Sequence, residues 1–195
     1  MVSLDFHHMA AFLRVVGSGI HLCSIVPDGV CRGRWFGEDV VAATDWAKSE
    51  NELGKNVYWT VNLVADGCLR GKPRKADIVA TRYIHVDIDP PKGSCKLDKA
   101  VTLSKLCALS ASPSFVIDSG GGLQAFWRLA GEAAASEVES LNRAVAVRLG
   151  GDNCHNIDRL MRLPGTLNYP NANKRASGRS VSLAKVIYDA DSLLA

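Results

Sequence analysis

The sequence predicts a mixed α/β or α+β protein rather than a regularly alternating, doubly wound one. Helical stretches fall between pairs of strands, not between single strands. Two segments, 56–62 and 83–89, alternate apolar and polar residues with the period of a strand. A third, 131–150, repeats its apolar residues every three or four positions, the period of a helix.

Taken in order, Phe6, Met9, Phe12, Leu13 and Val16 recur at helical spacing until Gly17-Ser18-Gly19 ends the run. His7 and His8 are adjacent in it, need different faces, and read as surface residues. Ile20–Ile25 reads as a strand closed by Pro27-Asp28-Gly29. The run Cys31-Arg32-Gly33-Arg34-Trp35-Phe36 is basic and aromatic. It reads as an edge strand or loop, or as a contact for nucleic acid through phosphates and stacking. Residues 38–53 form the next helix, with Val40, Ala43, Trp46 and Ala47 as its apolar stripe and Gly54 just past its end. In 56–62, Val57, Trp59 and Val61 share one face of a strand. The stretch 65–76 contains Gly67, Gly71, Pro73 and the basic residues Arg70, Lys72, Arg74 and Lys75. It reads as a solvated loop or as one that touches a phosphate backbone.

Tyr83-Ile84-His85-Val86-Asp87-Ile88-Asp89 sets Ile84, Val86 and Ile88 toward a core and His85, Asp87 and Asp89 along the opposite face. Two carboxylates on one face of an apolar strand repel each other and are poorly solvated unless a cation compensates them. Pro90-Pro91 stops the strand at the second acid. A hard divalent ion such as Mg²⁺ accounts for the pattern; so does an edge strand with its polar face in water. His85 reads either as a support to the acids or as a partly buried polar residue.

Leu97, Val101, Leu106 and Leu109 mark a helix over 97–110, broken by Ser112-Pro113. Phe115-Val116-Ile117 and Leu123-Gln124-Ala125-Phe126-Trp127 form a hairpin across Asp118-Ser119-Gly120-Gly121-Gly122. Three successive glycines suit a sharp turn, or a backbone that passes close to a ligand. In the helix that follows, Val138, Leu141, Val145 and Leu149 form the stripe. Glu132, Glu137 and Glu139 lie toward its start and Arg143 and Arg148 toward its end, which suits the helix dipole. Asp158 is a third acid in an apolar-rich setting, and Arg159 and Arg162 can pair with it or hold a triphosphate. His155 reads as a loop residue. Residues 173–179 form a basic loop, and Val181, Leu183 and Val186 one last strand before a tail that reads as the start of a segment cut from a longer protein.

A chain of 195 residues suits one domain or two small lobes sharing a core. The net charge of +3 permits an acidic partner without demanding nucleic acid. No two cysteines stand two to four residues apart, as a zinc knuckle needs, and no apolar run is long enough to span a membrane. The six cysteines therefore read as free thiols in a reducing cytoplasm.

Three blocks, in this order, resemble the archaeo-eukaryotic primase (AEP) superfamily, specifically the RepB-like primase and primase-polymerase domains of plasmids and phages. The first is His85-Val86-Asp87-Ile88-Asp89. The second is Ser119-Gly120-Gly121-Gly122-Leu123-Gln124-Ala125-Phe126-Trp127. The third is Ile157-Asp158-Arg159 followed by Arg162-Leu163-Pro164-Gly165-Thr166-Leu167-Asn168. The strand at 56–62 also looks like an early strand of that family, so the resemblance spans nearly the whole chain.

The resemblance implies an α+β fold, in which a small N-terminal α/β lobe, about 1–75, joins an RRM-like mixed sheet, about 76–190, with the active site between them. It implies one catalytic domain over 1–195, and a longer replication protein of which this would be the N-terminal fragment. Asp87, Asp89 and Asp158 would be catalytic and hold two Mg²⁺ or Mn²⁺ ions. Ser119, Gly120, Gly121, Gly122, Gln124, Arg159, Arg162 and Lys174 would bind the nucleotide. Many relatives carry histidine where this chain has Gln124, which cannot carry charge; Arg162 or Lys174 would then supply the positive charge. The implied activity is DNA-templated nucleotidyl transfer that makes or extends primers. Its partners would be single-stranded DNA, NTPs or dNTPs, and a replicative helicase in cis or in trans, with no membrane partner. A metal-dependent nuclease and an inactive nucleic-acid-binding replication module are the alternatives.

Overall fold

A computed structural model describes residues 3–27, 29–67, 71–91, 94, 96–190 and 192. Asp28, Cys68, Arg70, Lys92, Gly93 and Cys95, which figure in the sequence reading, lie outside the described residues.

The chain opens with α1 (Phe6–Val16), whose start is fixed by the Asp5 carboxylate accepting the His8 N–H at 3.0 Å. The hairpin β1 (Ile20–Ile25) and β2 (Cys31–Gly37) follows, then α2 (Val40–Glu52) and β3 (Asn56–Thr60). A short pair, β4 (Leu63–Val64) and β5 (Ile78–Ala80), flanks the basic loop, which ends in a 3₁₀ turn at Lys75–Asp77. Next come β6 (Tyr83–Ile88), α3 (Lys99–Cys107), the hairpin β7 (Phe115–Asp118) and β8 (Leu123–Arg128), and α4 (Ala135–Leu149). The chain closes with β9 (Leu160–Arg162), β10 (Leu167–Asn168), α5 (Ala172–Ala176), β11 (Ser182–Leu183) and β12 (Lys185–Asp189).

Two four-stranded sheets result, in the orders β2-β1-β3-β9 and β12-β7-β8-β6. Every recorded pairing in both is antiparallel, which corrects the expected mixed sheet. The reason lies in β8, which runs between β6 and β7 and opposes both. The crossover through α3 therefore joins two strands that never pair. The last strand expected from 181–186 is in fact two, β11 and β12, which pair in different sheets.

One core joins the two sheets. Met9, Phe12 and Leu13 of α1, Ile20, Leu22, Val57 and Trp59 of the first sheet, and Tyr83, Phe115, Ile117 and Phe126 of the second are buried together. Aromatic edges and faces lock it: Phe12 meets Trp59 edge-on at 5.0 Å, and Phe115 stacks on Phe126 at 4.7 Å. The opposite face of the second sheet buries Val86, Ile88, Val116, Leu123 and Ala125, with Leu106 of α3 and the partly buried Val145 and Leu149 of α4 packed on it. The His85–Asp87 face of β6 lies on the side of the joint core, with His85 buried and Asp87 partly buried. His8 is also no surface residue: its Nε2 accepts the Val186 N–H at 2.9 Å and ties α1 to β12. No helix is long and apolar enough to cross a membrane among the described residues.

Candidate active site

Asp87 is the most perturbed acid of the site. Burial pushes its carboxyl up to about 6, and the neighbouring Asp89 adds to the rise; Arg159 and the Gln124 amide oppose it. Gln124 lies directly across the ladder, and its Nε2 donates to Asp87 Oδ1 at 3.4 Å. Its Oε1 accepts the Arg162 N–H of β9 at 3.0 Å. Both ends of this buried amide are therefore engaged with protein, and Gln124 ties the acid strand to the first sheet.

The glycine turn sits against the end of β6. A Cβ on Gly122 would stand 2.3 Å from the Ile88 carbonyl oxygen and 2.7 Å from Asp89 Oδ1. Only glycine allows that approach. Ser119 closes the turn: its Oγ donates to the Gly122 carbonyl and accepts the Gly122 N–H, both at 3.1 Å. The Gly120 N–H donates to Asp118 Oδ1 at 2.7 Å. Ser119 Oγ and two of the three glycine amides are thus engaged inside the turn.

The 162–168 segment is wired to the same turn. Arg162 is buried, with its guanidinium over the Tyr58 ring at 4.2 Å. Its Nη2 donates to Tyr58 Oη at 3.0 Å and to Asn168 Oδ1 at 2.9 Å. Asn168 Nδ2 in turn donates to the Ser119 carbonyl at 2.6 Å. Arg162 Nε and Nη1 are buried without a protein partner. Burial lowers the Arg162 pKa, and Asp87 is among the groups that hold it up. Arg159 Nη2 donates to Cys154 Sγ, and its charge reaches Asp87.

Beside the turn opens a cleft of about 250 Å³, lined among others by Lys96, Lys99, Gly120, Gly121, Lys174 and Arg179. Lys99 is neutralised by Asp118 at 2.6 Å. Among the described residues no acid lines the cleft. A smaller one of about 150 Å³, lined by Tyr58, Arg162, Asn168 and Lys174, adjoins it. Of the expected nucleotide-binding residues, Gly120, Gly121 and Lys174 line the larger cleft and Arg162 the smaller, whereas Ser119, Gly122, Gln124 and Arg159 line neither. Lys96, Lys99 and Arg179 were missed as site residues. Arg179 stands in the basic loop flagged by composition, but nothing in the local sequence around Lys96 and Lys99 marks them.

The three aspartates of the sequence reading do not meet at one point in this structure. Asp158 turns to cations and amides of its own: Oδ2 lies 3.6 Å from Lys72 Nζ, and Oδ1 accepts from Asn156 Nδ2 at 2.5 Å. Among the described residues no three His, Cys, Asp or Glu side chains gather around one point that could hold a metal ion. Without a cation, like charges separate and each seeks its own partner. Besides Asp89, Asp152 stands by Asp87: its N–H donates to the Asp87 carbonyl at 2.7 Å and its charge adds to the rise of the carboxyl. As a donor set, Asp87 and Asp89 suit a hard divalent cation, because two neighbouring, partly buried carboxylates that pair with no lysine among the described residues are relieved by one. Asp158 joins that set only by leaving Lys72. His85 is fully buried and structural, its Nε2 within 2.9 Å of the Cys154 carbonyl and its pKa lowered by burial to about 4.

The fold is that of the catalytic domains of archaeo-eukaryotic primases and primase-polymerases. Three solved structures share it. The primase RepB′ superposes with a TM-score of 0.68 at 16% identity, over 97% of this chain and 60% of that one, so this chain spans about three fifths of it. The AEP domain of the cyanophage S-2L primase-polymerase superposes with a TM-score of 0.68 at 18% identity, over 99% of this chain and 98% of that one. The catalytic domain of RepB′ in complex with initiator DNA gives 0.65 at 17%, over 97% and 92%. No protein-family model and no curated protein matches the sequence.

Proposed function

We propose that this chain is a primase or primase-polymerase catalytic domain that makes or extends primers on single-stranded DNA by nucleotidyl transfer. The observation that carries this is the meeting, across one glycine turn, of a partly buried acid pair and a cleft lined by Lys96, Lys99, Lys174 and Arg179. Lys174 and Arg179 would hold the triphosphate by charge and hydrogen bonds. The two unpartnered nitrogens of Arg162 would receive an anionic oxygen in the adjoining cleft. Gln124 would position Asp87, and Arg159 would limit repulsion there when the site is empty of cations.

Asp87 and Asp89, joined by Asp158 once it leaves Lys72, would hold Mg²⁺ or Mn²⁺. Such ions activate the attacking hydroxyl and neutralise the leaving pyrophosphate. Single-stranded DNA, NTPs or dNTPs, and a replicative helicase in cis or in trans are the partners this reading carries, with plasmid or phage replication as its setting. The β6-α3-β7-β8-α4 succession is the part of the chain that supports the RRM-like half of this reading, whereas β12, reached after β9, β10, α5 and β11, pairs with β7 rather than β6. One catalytic domain over 1–195 fits the core that joins both sheets.

Equilibrium binding of a non-hydrolysable nucleoside triphosphate, with and without Mn²⁺, tests the assignment. Lys174→Ala combined with Arg179→Ala is expected to weaken binding about tenfold or more, roughly 1.4 kcal/mol. Unchanged affinity would remove the cleft from the mechanism. DNA cleavage that needs no triphosphate would favour the nuclease instead.

A further inference from the structure

Away from the acid pair, β1 and β2 bring two thiols together. Cys23 lies opposite Gly33, and Ile25 opposite Cys31, so Cys23 and Cys31 are diagonal neighbours on one face of the ladder. The backbone of Gly71, in the basic loop, lies against that face. A Cβ on Gly33 would stand 2.1 Å from the Gly71 carbonyl oxygen, and the same oxygen accepts from Cys23 Sγ at 3.7 Å. The two thiols are near enough that each bears on the other's ionisation, and Lys72 lies beside Cys31. Their surroundings differ. Cys23 is fully buried, and burial together with its neighbour pushes its thiol far up. Cys31 is half-buried, and the Cys23 thiol and Lys72 pull it down to about 7. A nucleophilic, reachable sulfur thus stands against a hidden one.

We propose that Cys23 and Cys31 form a reversible redox pair, with Cys31 the attacking and Cys23 the resolving thiol, oxidised by a low-molecular-weight disulfide R–S–S–R. The Cys31 thiolate attacks one sulfur of R–S–S–R, the S–S bond breaks, and one R–S⁻ leaves. Cys23 then attacks the Cys31 sulfur of the mixed disulfide and expels the second R–S⁻. Two cysteine thiols become one disulfide, R–S–S–R is reduced to two R–SH, and the two cysteine protons end on the released sulfurs. Regular diagonal neighbours stand farther apart than a relaxed disulfide allows. Among the described residues β2 is an edge strand bonded only to β1, so it can draw inward. The resulting bond is strained, and strained disulfides are readily reduced, which suits a switch better than a staple. Lys72 carries the change onward, because its Nζ pairs with Asp158 at 3.6 Å.

The test needs no activity and stands apart from nucleotidyl transfer. The reduced full-length chain is treated with oxidised glutathione, quenched by alkylation, and read by intact mass and peptide mapping. The expected product is two hydrogens lighter, with the Cys23 and Cys31 peptides joined, and dithiothreitol reverses it. Cys23→Ala should stop at a glutathione adduct on Cys31, and Cys31→Ser should leave Cys23 unmodified. The wild-type map needs no variant to fold. A stable adduct on wild-type Cys31, a bond from Cys31 to any other cysteine, or no reaction at either residue would overturn the proposal. So would a zinc ion in the freshly purified protein that alkylation releases, since His21 Nε2 lies on the same face, buried and without a partner.

Discussion

Replacing Asp87 by Asn should stabilise the metal-free protein. The Asp87 carboxyl rises from 3.8 to about 6, chiefly because it is buried and then because Asp89 is near. Its folded pKa therefore lies above its unfolded one. Between about pH 4 and 6 the native state holds the proton more tightly, so the stability this group contributes falls as pH rises through that window and stays low above it. At about 1.4 kcal/mol per pH unit, the full effect is about 3 kcal/mol. Asparagine keeps the size of the side chain and an acceptor for Gln124 Nε2, and it carries no charge. Urea unfolding of both proteins in chelator should show Asp87→Asn more stable by up to about 3 kcal/mol at pH 8. The gap should close toward pH 4. In Mn²⁺ at about a hundred times its dissociation constant the wild type alone should gain, by about 2.7 kcal/mol. A variant no more stable at pH 8, or a gap indifferent to pH, would refute the view that the buried carboxylate awaits a cation.

Three further outcomes follow from the same geometry. Asp158→Ala should abolish nucleotide incorporation while shifting unfolding by under about 1 kcal/mol, because its partner Lys72 is largely solvated; full incorporation by this variant would remove Asp158 from the site. Gln124→Ala strips the Arg162 N–H of its acceptor, which should cost about 1–3 kcal/mol in urea unfolding, and a neutral result would deny the link between the sheets. Gly122→Ala drives a methyl into the Ile88 carbonyl and Asp89. It should lower stability by about 1–3 kcal/mol and displace the acid, so unchanged melting and Mn²⁺ affinity would contradict the packing described.

Much of this arrangement is legible in the sequence where a local pattern carries it. The alternation over 83–89 gave β6 and the shared face of Asp87, because side chains on a strand repeat every two residues. Helical spacing gave α1 and α4 within a few residues of their ends. The glycine run marks a turn in the sequence and forms one in the structure, although its serine and two of its amides serve the turn itself. What failed depends on partners distant in sequence. β9 is three residues long, too short to show a period, and exists because Tyr58, Trp59 and Thr60 pair with it. The cleft takes Lys96 and Lys99 from beside α3 and Lys174 and Arg179 from a loop some eighty residues on, and no local signal joins them. Lys72, from a loop eighty-odd residues earlier, meets the charge of Asp158, and nothing in the sequence around either residue joins them.

The most direct measurement is templated incorporation on single-stranded DNA. Labelled NTPs or dNTPs and Mg²⁺ or Mn²⁺ would be supplied with and without an annealed primer, beside an Asp87→Ala/Asp89→Ala control. The account predicts metal- and template-dependent chain growth in at least one format, lost in the control: from bare template for a primase, or from the supplied primer alone for a polymerase core. No incorporation in either format, by a folded protein that also fails to bind nucleotide, would contradict it.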